Sequence, residues 1–200
     1  MLFPDPALAE PDGLLAVGGD LSTGRLLLAY NNGIFPWYNE QPILWYSPPE
    51  RFVLYPDELK VTKSMRQVLR SNKFSVTINQ CFEDVINECS LAPREGQGGT
   101  WINNEMKKAY AQLHNEGHAH SIEVWQQNEL VGGLYGVAVG EVFCGESMFS
   151  KVSNASKTAL IRLCNAGLYK LIDCQLHTNH LKSMGARMIS REEYLGILKR

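Results

Sequence analysis

Over the first sixty residues, hydrophobic and polar positions keep no steady period. Turn sequences such as Pro11-Asp12-Gly13, Gly18-Gly19-Asp20, Asn31-Asn32-Gly33 and Ser47-Pro48-Pro49 interrupt every short apolar run. One helix is predicted in this interval, from Ser22 to Tyr30, with Ser22 as N-cap and Asn32-Gly33 as the stop. Phe35, Trp37, Tyr38, Leu44, Trp45 and Tyr46 need burial, so residues 1–60 read as a small lobe rather than a linker. Lys60 to Arg70 predicts a further helix, which carries Lys60, Lys63, Arg66 and Arg70 on one face.

From Phe74 the pattern becomes regular. Phe74 to Ile78 predicts a strand, Cys81 to Cys89 a helix, and Asn103 to Glu116 an amphipathic helix ended by Gly117. Three strands follow, Ser121 to Trp125, Leu130 to Val139 and Glu141 to Phe149, with hairpin breaks at Gln127-Asn128 and Gly140. A helix capped near Ser153 or Asn154 and running to about Ala166 comes next, then a strand from Leu171 to His177 and a helix from Asn179 to Met184. A strand meander followed by helix, strand and helix predicts an α+β (mixed α/β) fold, with residues 61–200 forming the main domain.

Composition narrows the classes. At 200 residues and 44% hydrophobic content the chain can bury a real core without disulfides. The formal net charge of −2 excludes wholesale nucleic-acid binding by bulk charge, so any RNA contact requires a local basic patch. No run reaches the length of a membrane span and no charged-then-apolar signal segment opens the chain, so a cytoplasmic protein is expected. The five cysteines form no Cys-x-x-Cys pair, which fits a reducing compartment.

Three constellations could carry chemistry. In the run Phe143-Cys144-Gly145-Glu146-Ser147-Met148-Phe149 a carboxylate stands among large apolar residues, where an unpaired charge costs several kcal/mol or shifts its pKa. Glu146 therefore either faces water or serves something that binds. In Leu171 to His177, alternation puts Asp173, Gln175 and His177 on one face, either a solvated sheet face or a polar site floor; the segment alone decides neither. His114, His118 and His120 invite a metal reading. Gly117 interrupts the helix between the first two, however, and no carboxylate or cysteine stands at ligand spacing, so helix-end and strand-start histidines are expected. The pairs Gly18-Gly19, Gly98-Gly99 and Gly132-Gly133 match no phosphate-binding loop and read as turns and close-packing points.

Taken together, Gly13-Leu14-Leu15-Ala16-Val17-Gly18-Gly19-Asp20-Leu21, Gly33-Ile34-Phe35-Pro36-Trp37, Ile43-Leu44-Trp45-Tyr46-Ser47-Pro48 and Gly99-Thr100-Trp101-Ile102 resemble the bacterial leucyl/phenylalanyl-tRNA–protein transferase family. So do the stretches Gly117 to Trp125, Phe143 to Lys157 and Leu171-Ile172-Asp173-Cys174-Gln175, in collinear order over nearly the whole chain. The resemblance implies an acetyltransferase-like catalytic domain with a small N-terminal lobe. The coenzyme A pyrophosphate loop of ordinary acetyltransferases is missing.

It further implies transfer of Leu or Phe, with Met as a further donor, from aminoacyl-tRNA to the α-amine of proteins that begin with Arg or Lys, marking them for degradation. No cofactor or metal is implied, because exchanging an ester for an amide needs neither. Matching motifs assign Asp173 and Gln175 to catalysis, and Trp37, Trp101, Leu134, Phe143, Glu146, Leu163 and Ile172 to substrate binding. An amide is a very weak base, so Gln175 is expected to position groups or stabilise an oxyanion, oriented by Asp173, while the charges of Glu146 and Asp173 favour a cationic acceptor. Lys60, Lys63, Arg66 and Arg70 are the expected tRNA contacts.

The chain departs from the family pattern in two places. The interval from Ser156-Lys157 to Asp173 is shorter by about one helical turn, and the sequence stops at Lys199-Arg200 where relatives commonly continue. A pocket less closed on that side is the expectation. Alternatives are a module that holds tRNA or a peptide terminus without turnover, and another tRNA-dependent aminoacyl transferase of the same fold.

Overall fold

In a computed structural model, residues 2–93 and 101–199 are described. The glycine pair Gly98-Gly99, and Thr100 of the fourth motif, lie outside them. A three-stranded antiparallel sheet comes first: β1 (Leu14–Val17), β2 (Phe35–Pro36) and β3 (Leu44–Tyr46), in the order β1-β3-β2. Helix α1 (Thr23–Asn31) sits between its first two strands, with Ser22 at the N-cap as expected. The chain then enters a seven-stranded sheet through β4 (Glu50–Leu54), a strand that the sequence pattern does not announce.

The remaining elements are α2 (Lys63–Arg70), β5 (Ser75–Ile78), α3 (Phe82–Leu91), α4 (Asn104–Asn115), β6 (Ala119–Gln126), β7 (Glu129–Val139), β8 (Val142–Ser150), α5 (Ala155–Asn165), β9 (Leu171–Asp173), α6 (Asn179–Ser183), β10 (Arg187–Ser190) and α7 (Arg191–Leu198). The large sheet runs β10-β4-β9-β8-β7-β6-β5 and is antiparallel except where β8 meets β9. That parallel pair requires a crossover, which α5 supplies.

Local chemistry explains the meander. Gln127 and Asn128 form the two-residue turn between β6 and β7 with φ of 51° and 65°, the left-handed pair that a tight hairpin needs. Adding a Cβ to Gly132 would bring it 2.5 Å from the Cβ of Ala155, so this glycine lets α5 start hard against the sheet. On α4 the Asn103 side chain accepts from the Met106 N–H at 2.9 Å, while Met106, Tyr110 and Leu113 are buried along one stripe.

Two cores flank the sheet. One joins α1, α3, α4 and α7 through Leu26, Tyr30, Val85, Tyr110, Tyr135 and Tyr194; the other joins α2 and α5 through Met65, Ala159, Leu160 and Leu163. Helices on both faces of a mixed sheet are the expected mixed α/β class.

Two expected elements differ. The helix predicted from Lys60 begins only at Lys63, because Thr62 caps it by accepting the Met65 N–H at 3.2 Å. Lys60 instead donates its backbone N–H to the Met184 carbonyl at 2.8 Å and is not on the helix face. The strand predicted over Leu171 to His177 ends at Asp173. Gln175 takes φ of +58° and the Leu176 N–H closes onto the Cys174 carbonyl at 2.7 Å, so the period-two alternation stops and His177 turns out to solvent beside the Phe52 ring.

Candidate active site

The parallel pairing of β8 with β9 stops at Cys144 and Asp173. Past that point β8 continues while the other chain turns away, and the gap between them opens into a cavity of about 500 Å³. Every pocket and catalytic residue expected from the sequence lines it: Trp37 after β2, Trp101 ahead of α4, Leu134 on β7, Phe143 and Glu146 on β8, Leu163 on α5, Ile172 and Asp173 on β9, and Gln175 just beyond. The helix that precedes Asp173, expected to be short, still supplies Leu160 and Leu163 to the wall, and Tyr169 packs its ring on Phe143 at 5.2 Å.

Glu146 reaches this position through a β-bulge. In the β7–β8 ladder Tyr135 faces Ser147 and Gly136 faces Gly145, which leaves Glu146 as the extra residue. The parity of the strand flips there: Val142, Cys144 and Phe149 belong to the first core, Phe143 and Met148 to the second. Bulges re-aim side chains in this way. Gly136 permits it, since a Cβ there would collide with the Cys144 carbonyl oxygen and come within 2.6 Å of the Phe143 ring.

Glu146 is 7% exposed. Its Oε1 accepts from Gln175 Nε2 at 2.8 Å and lies 2.7 Å from Tyr30 Oη, and its Oε2 lies 3.1 Å from Tyr110 Oη; the two tyrosine hydroxyls also touch each other, so their two protons are shared among three contacts. Burial pushes its pKa up to about 7, against the pull of the three donors, and Asp173 adds to the rise. Burial and Glu146 hold both tyrosines well above the ordinary phenol value. Among the described residues no Lys or Arg pairs with Glu146.

Asp173 is different. It is fully buried, and both of its oxygens are taken by the Arg51 guanidinium; Tyr194 Oη donates to Oδ2 at 2.8 Å and the Gln175 backbone N–H to Oδ1 at 2.9 Å. Burial works against the Arg51 charge, yet Asp173 beside it holds the guanidinium pKa above its ordinary value. The expectation that Asp173 offers its charge to a cationic acceptor is therefore corrected: Arg51 neutralises that charge within the fold. Asp173 orients Gln175 through the backbone, while the Gln175 side chain is oriented by Glu146.

The basic residues Lys60, Lys63, Arg66 and Arg70 are all exposed and none lines the cavity. The histidines serve the frame: His114 Nδ1 bonds the Ala119 carbonyl at 2.8 Å while its ring stacks on Phe82, and His120 Nδ1 bonds the Asn79 side chain at 2.9 Å. Among the described residues no group of three or more His, Cys, Asp or Glu is placed to hold a metal ion, and no helix is long and apolar enough to cross a membrane. All five cysteines are free thiols.

Sequence reasoning missed Tyr30, Tyr110, Arg51 and Tyr194. The first two sit on the apolar stripes of α1 and α4, where a tyrosine reads as core, and Arg51 lies in a strand too short to show a period.

Comparison with known proteins decides the class. The family model for leucyl/phenylalanyl-tRNA protein transferase matches residues 53–199, and that for the N-terminal domain of the same transferase matches residues 19–49. The chain belongs to the leucyl/phenylalanyl-tRNA–protein transferase family. It is thus an aminoacyltransferase. The transferase of that name from Flavobacterium johnsoniae is 56% identical over 203 residues, covering 100% of this chain and 96% of its own length. Its counterpart from Hydrogenovibrio crunogenus is 56% identical over 205 residues, covering 100% and 80%. Among solved structures FemX aligns with a TM-score of 0.50 at 9% identity, over 89% of this chain and 71% of its own. A functionally unknown conserved protein from Staphylococcus epidermidis aligns with a TM-score of 0.51 at 8% identity, over 88% and 68%. At such identities these two matches speak to the fold alone, which is the mixed α/β fold expected from the sequence.

Proposed function

We propose that this chain transfers Leu or Phe from aminoacyl-tRNA to the α-amino group of proteins that begin with Arg or Lys, forming a peptide bond and marking them for degradation. One observation carries this reading: an apolar cavity of about 500 Å³ ends in the hydrogen-bonded pair Glu146–Gln175. Trp37, Trp101, Leu134, Phe143, Leu163 and Ile172 form the seat for the donor side chain. Such a wall separates one methylene from none by only about 1–3 kcal/mol, so two bulky apolar donors are accepted while charged ones are excluded by desolvation.

The attacking α-amine, with an ordinary pKa of about 7.7–8.0, is partly neutral near pH 7, so no strong base is required. Glu146, a buried carboxylate with no paired cation among the described residues, attracts the acceptor as its ammonium form. Gln175 Nε2 is engaged by Glu146, which leaves Oε1 to accept an N–H of the neutral amine and aim its lone pair at the ester carbonyl carbon. As the new C–N bond forms and the C–O bond to the ribose 3′-oxygen breaks, the nitrogen gives up a proton and the leaving oxygen gains one through the neighbouring 2′-hydroxyl. Lys63, Arg66 and Arg70, three and four residues apart on exposed α2, with Lys60 nearby in sequence, supply phosphate contacts of little sequence preference.

Labelled Phe-tRNA incubated separately with a peptide beginning in Arg and one beginning in Ala tests the reading. Transfer to the first alone supports it. Binding without transfer favours a non-catalytic module, and transfer to both removes the acceptor specificity.

A further inference from the structure

Gln175 is a non-glycine residue at φ of +58° in the centre of a three-residue turn closed by Leu176 N–H to Cys174 C=O at 2.7 Å. The left-handed form of this turn is rare and strained, and it persists only where its surroundings over-determine it. The restraints are identifiable. The Cys174 N–H donates to the Phe52 carbonyl at 2.8 Å, and the Gln175 N–H donates to Asp173 Oδ1 at 2.9 Å. Phe52 neighbours Arg51 on β4, and Arg51 holds the carboxylate that receives the second bond.

Arg51 is itself locked in place. It is 1% exposed, its Nη1 donates to the Gly33 carbonyl at 3.0 Å, and its guanidinium carbon lies 4.7 and 4.6 Å from the ring centroids of Phe35 and Tyr194. Its Nε donates to Asp173 Oδ1 at 3.3 Å and its Nη2 to Oδ2, so the planar fork fixes the rotation of the carboxylate as well as its charge. A buried ion pair is weak evidence for stability, because apolar residues of similar volume often serve as well. This pair stands at the base of the strained turn in the cavity wall.

We infer that Arg51 is a positioning residue of the transfer reaction: by gripping both oxygens of Asp173 it holds the Gln175 turn and aims the Gln175 amide at Glu146 and the cavity. The inference rests on the reading of Gln175 as the amide that orients the attacking amine. It also gives α7 and the Gly33–Phe35 segment a common task, since Tyr194 on the one and the Gly33 carbonyl and Phe35 ring on the other form the seat of Arg51.

The test compares Gln175→Ala, Arg51→Lys and the double variant in the full chain, with folding checked by circular dichroism and kcat and KM measured for Phe transfer to a peptide beginning in Arg. Arg51→Lys keeps the charge and loses the fork. It is expected to lower kcat about 10–100-fold with the KM for aminoacyl-tRNA within about twofold of wild type. Gln175→Ala is expected to lose about 100-fold, and the double variant to be no slower than Gln175→Ala alone, as for residues acting in one line. Wild-type kcat in Arg51→Lys, or losses that multiply in the double variant, beside a slow Gln175→Ala, overturns the inference alone. Wild-type turnover in Gln175→Ala overturns the underlying reading and the inference with it. If Arg51→Lys does not fold, Arg51→Met with Asp173→Asn, which leaves no unpaired buried charge, takes its place with the same expected loss of kcat.

Discussion

Gln175 Nε2 donates to Glu146 Oε1 at 2.8 Å across the gap that opens where β8 and β9 stop pairing. Both residues stand at departures from regular backbone: Glu146 on the bulge of β8 and Gln175 in the left-handed turn beyond β9. The register that sets Val142, Phe143 and Cys144 opposite Leu171, Ile172 and Asp173 would, if continued, set Glu146 opposite Gln175, so the two side chains meet at matching positions although the ladder has ended.

Exchanging Glu146 for Gln removes the charge that greets the acceptor and gives Gln175 a neutral partner. A charge-assisted hydrogen bond contributes about 1.5–3 kcal/mol, so the KM for a peptide beginning in Arg should rise roughly 10- to 100-fold. Affinity for Phe-tRNA, measured by filter binding, should stay within about twofold. Equal losses for the two substrates would place Glu146 outside acceptor recognition.

The raised pKa of Glu146 predicts a stability profile with a definite sign. Its ordinary value of 4.5 goes up to about 7 on folding. Below about pH 4.5 the carboxyl is protonated in both states and its contribution is fully present; between about 4.5 and 7 only the folded state keeps the proton, so stability falls as pH rises through that window, by about 3 kcal/mol in all. Urea unfolding at pH 5 and pH 8 should show this loss in wild type and a shallower one in Glu146→Gln. Parallel profiles would mean that Glu146 titrates as it does in the unfolded chain.

Much of this was legible in the sequence, for physical reasons. The meander β6–β8 announces itself through alternation and through Gln127-Asn128, a pair suited to the left-handed turn it occupies. All nine residues assigned to the cavity by motif line it. What stayed hidden depends on pairings between residues far apart in the chain: Arg51 meets Asp173 across 122 positions and Tyr30 meets Glu146 across 116. No local pattern marks such pairs. The bulge at Glu146 was equally silent, since one extra residue does not disturb a short apolar run enough to show.

Gly136→Ala tests the bulge. The added Cβ would meet the Cys144 carbonyl oxygen, backbone that cannot swing aside, and the Phe143 ring at 2.6 Å. Destabilisation of about 3 kcal/mol is expected, at the upper end for overpacking, read as a lower urea midpoint with unchanged slope. A wild-type midpoint would show that β7 and β8 pair differently.

The exposed cations of α2 predict a salt signature. Replacing Lys63, Arg66 and Arg70 with Ala should weaken tRNA binding. The slope of log K against log salt should become shallower by about 0.9 for each phosphate no longer neutralised on duplex RNA, taking the double-helical DNA value. Turnover at saturating tRNA should be preserved, because none of the three lines the cavity. An unchanged slope would send the search for the tRNA surface elsewhere.

The central claim is that Gln175 orients the attacking amine from its place beside Glu146, and single-turnover transfer measures it most directly. Labelled Phe-tRNA is bound to wild type and to Gln175→Ala at saturation, and the rate of Phe appearing on a peptide beginning in Arg is followed after mixing. The account predicts a rate about 100-fold lower in the variant with tRNA affinity unchanged. Equal rates in the two proteins would contradict it.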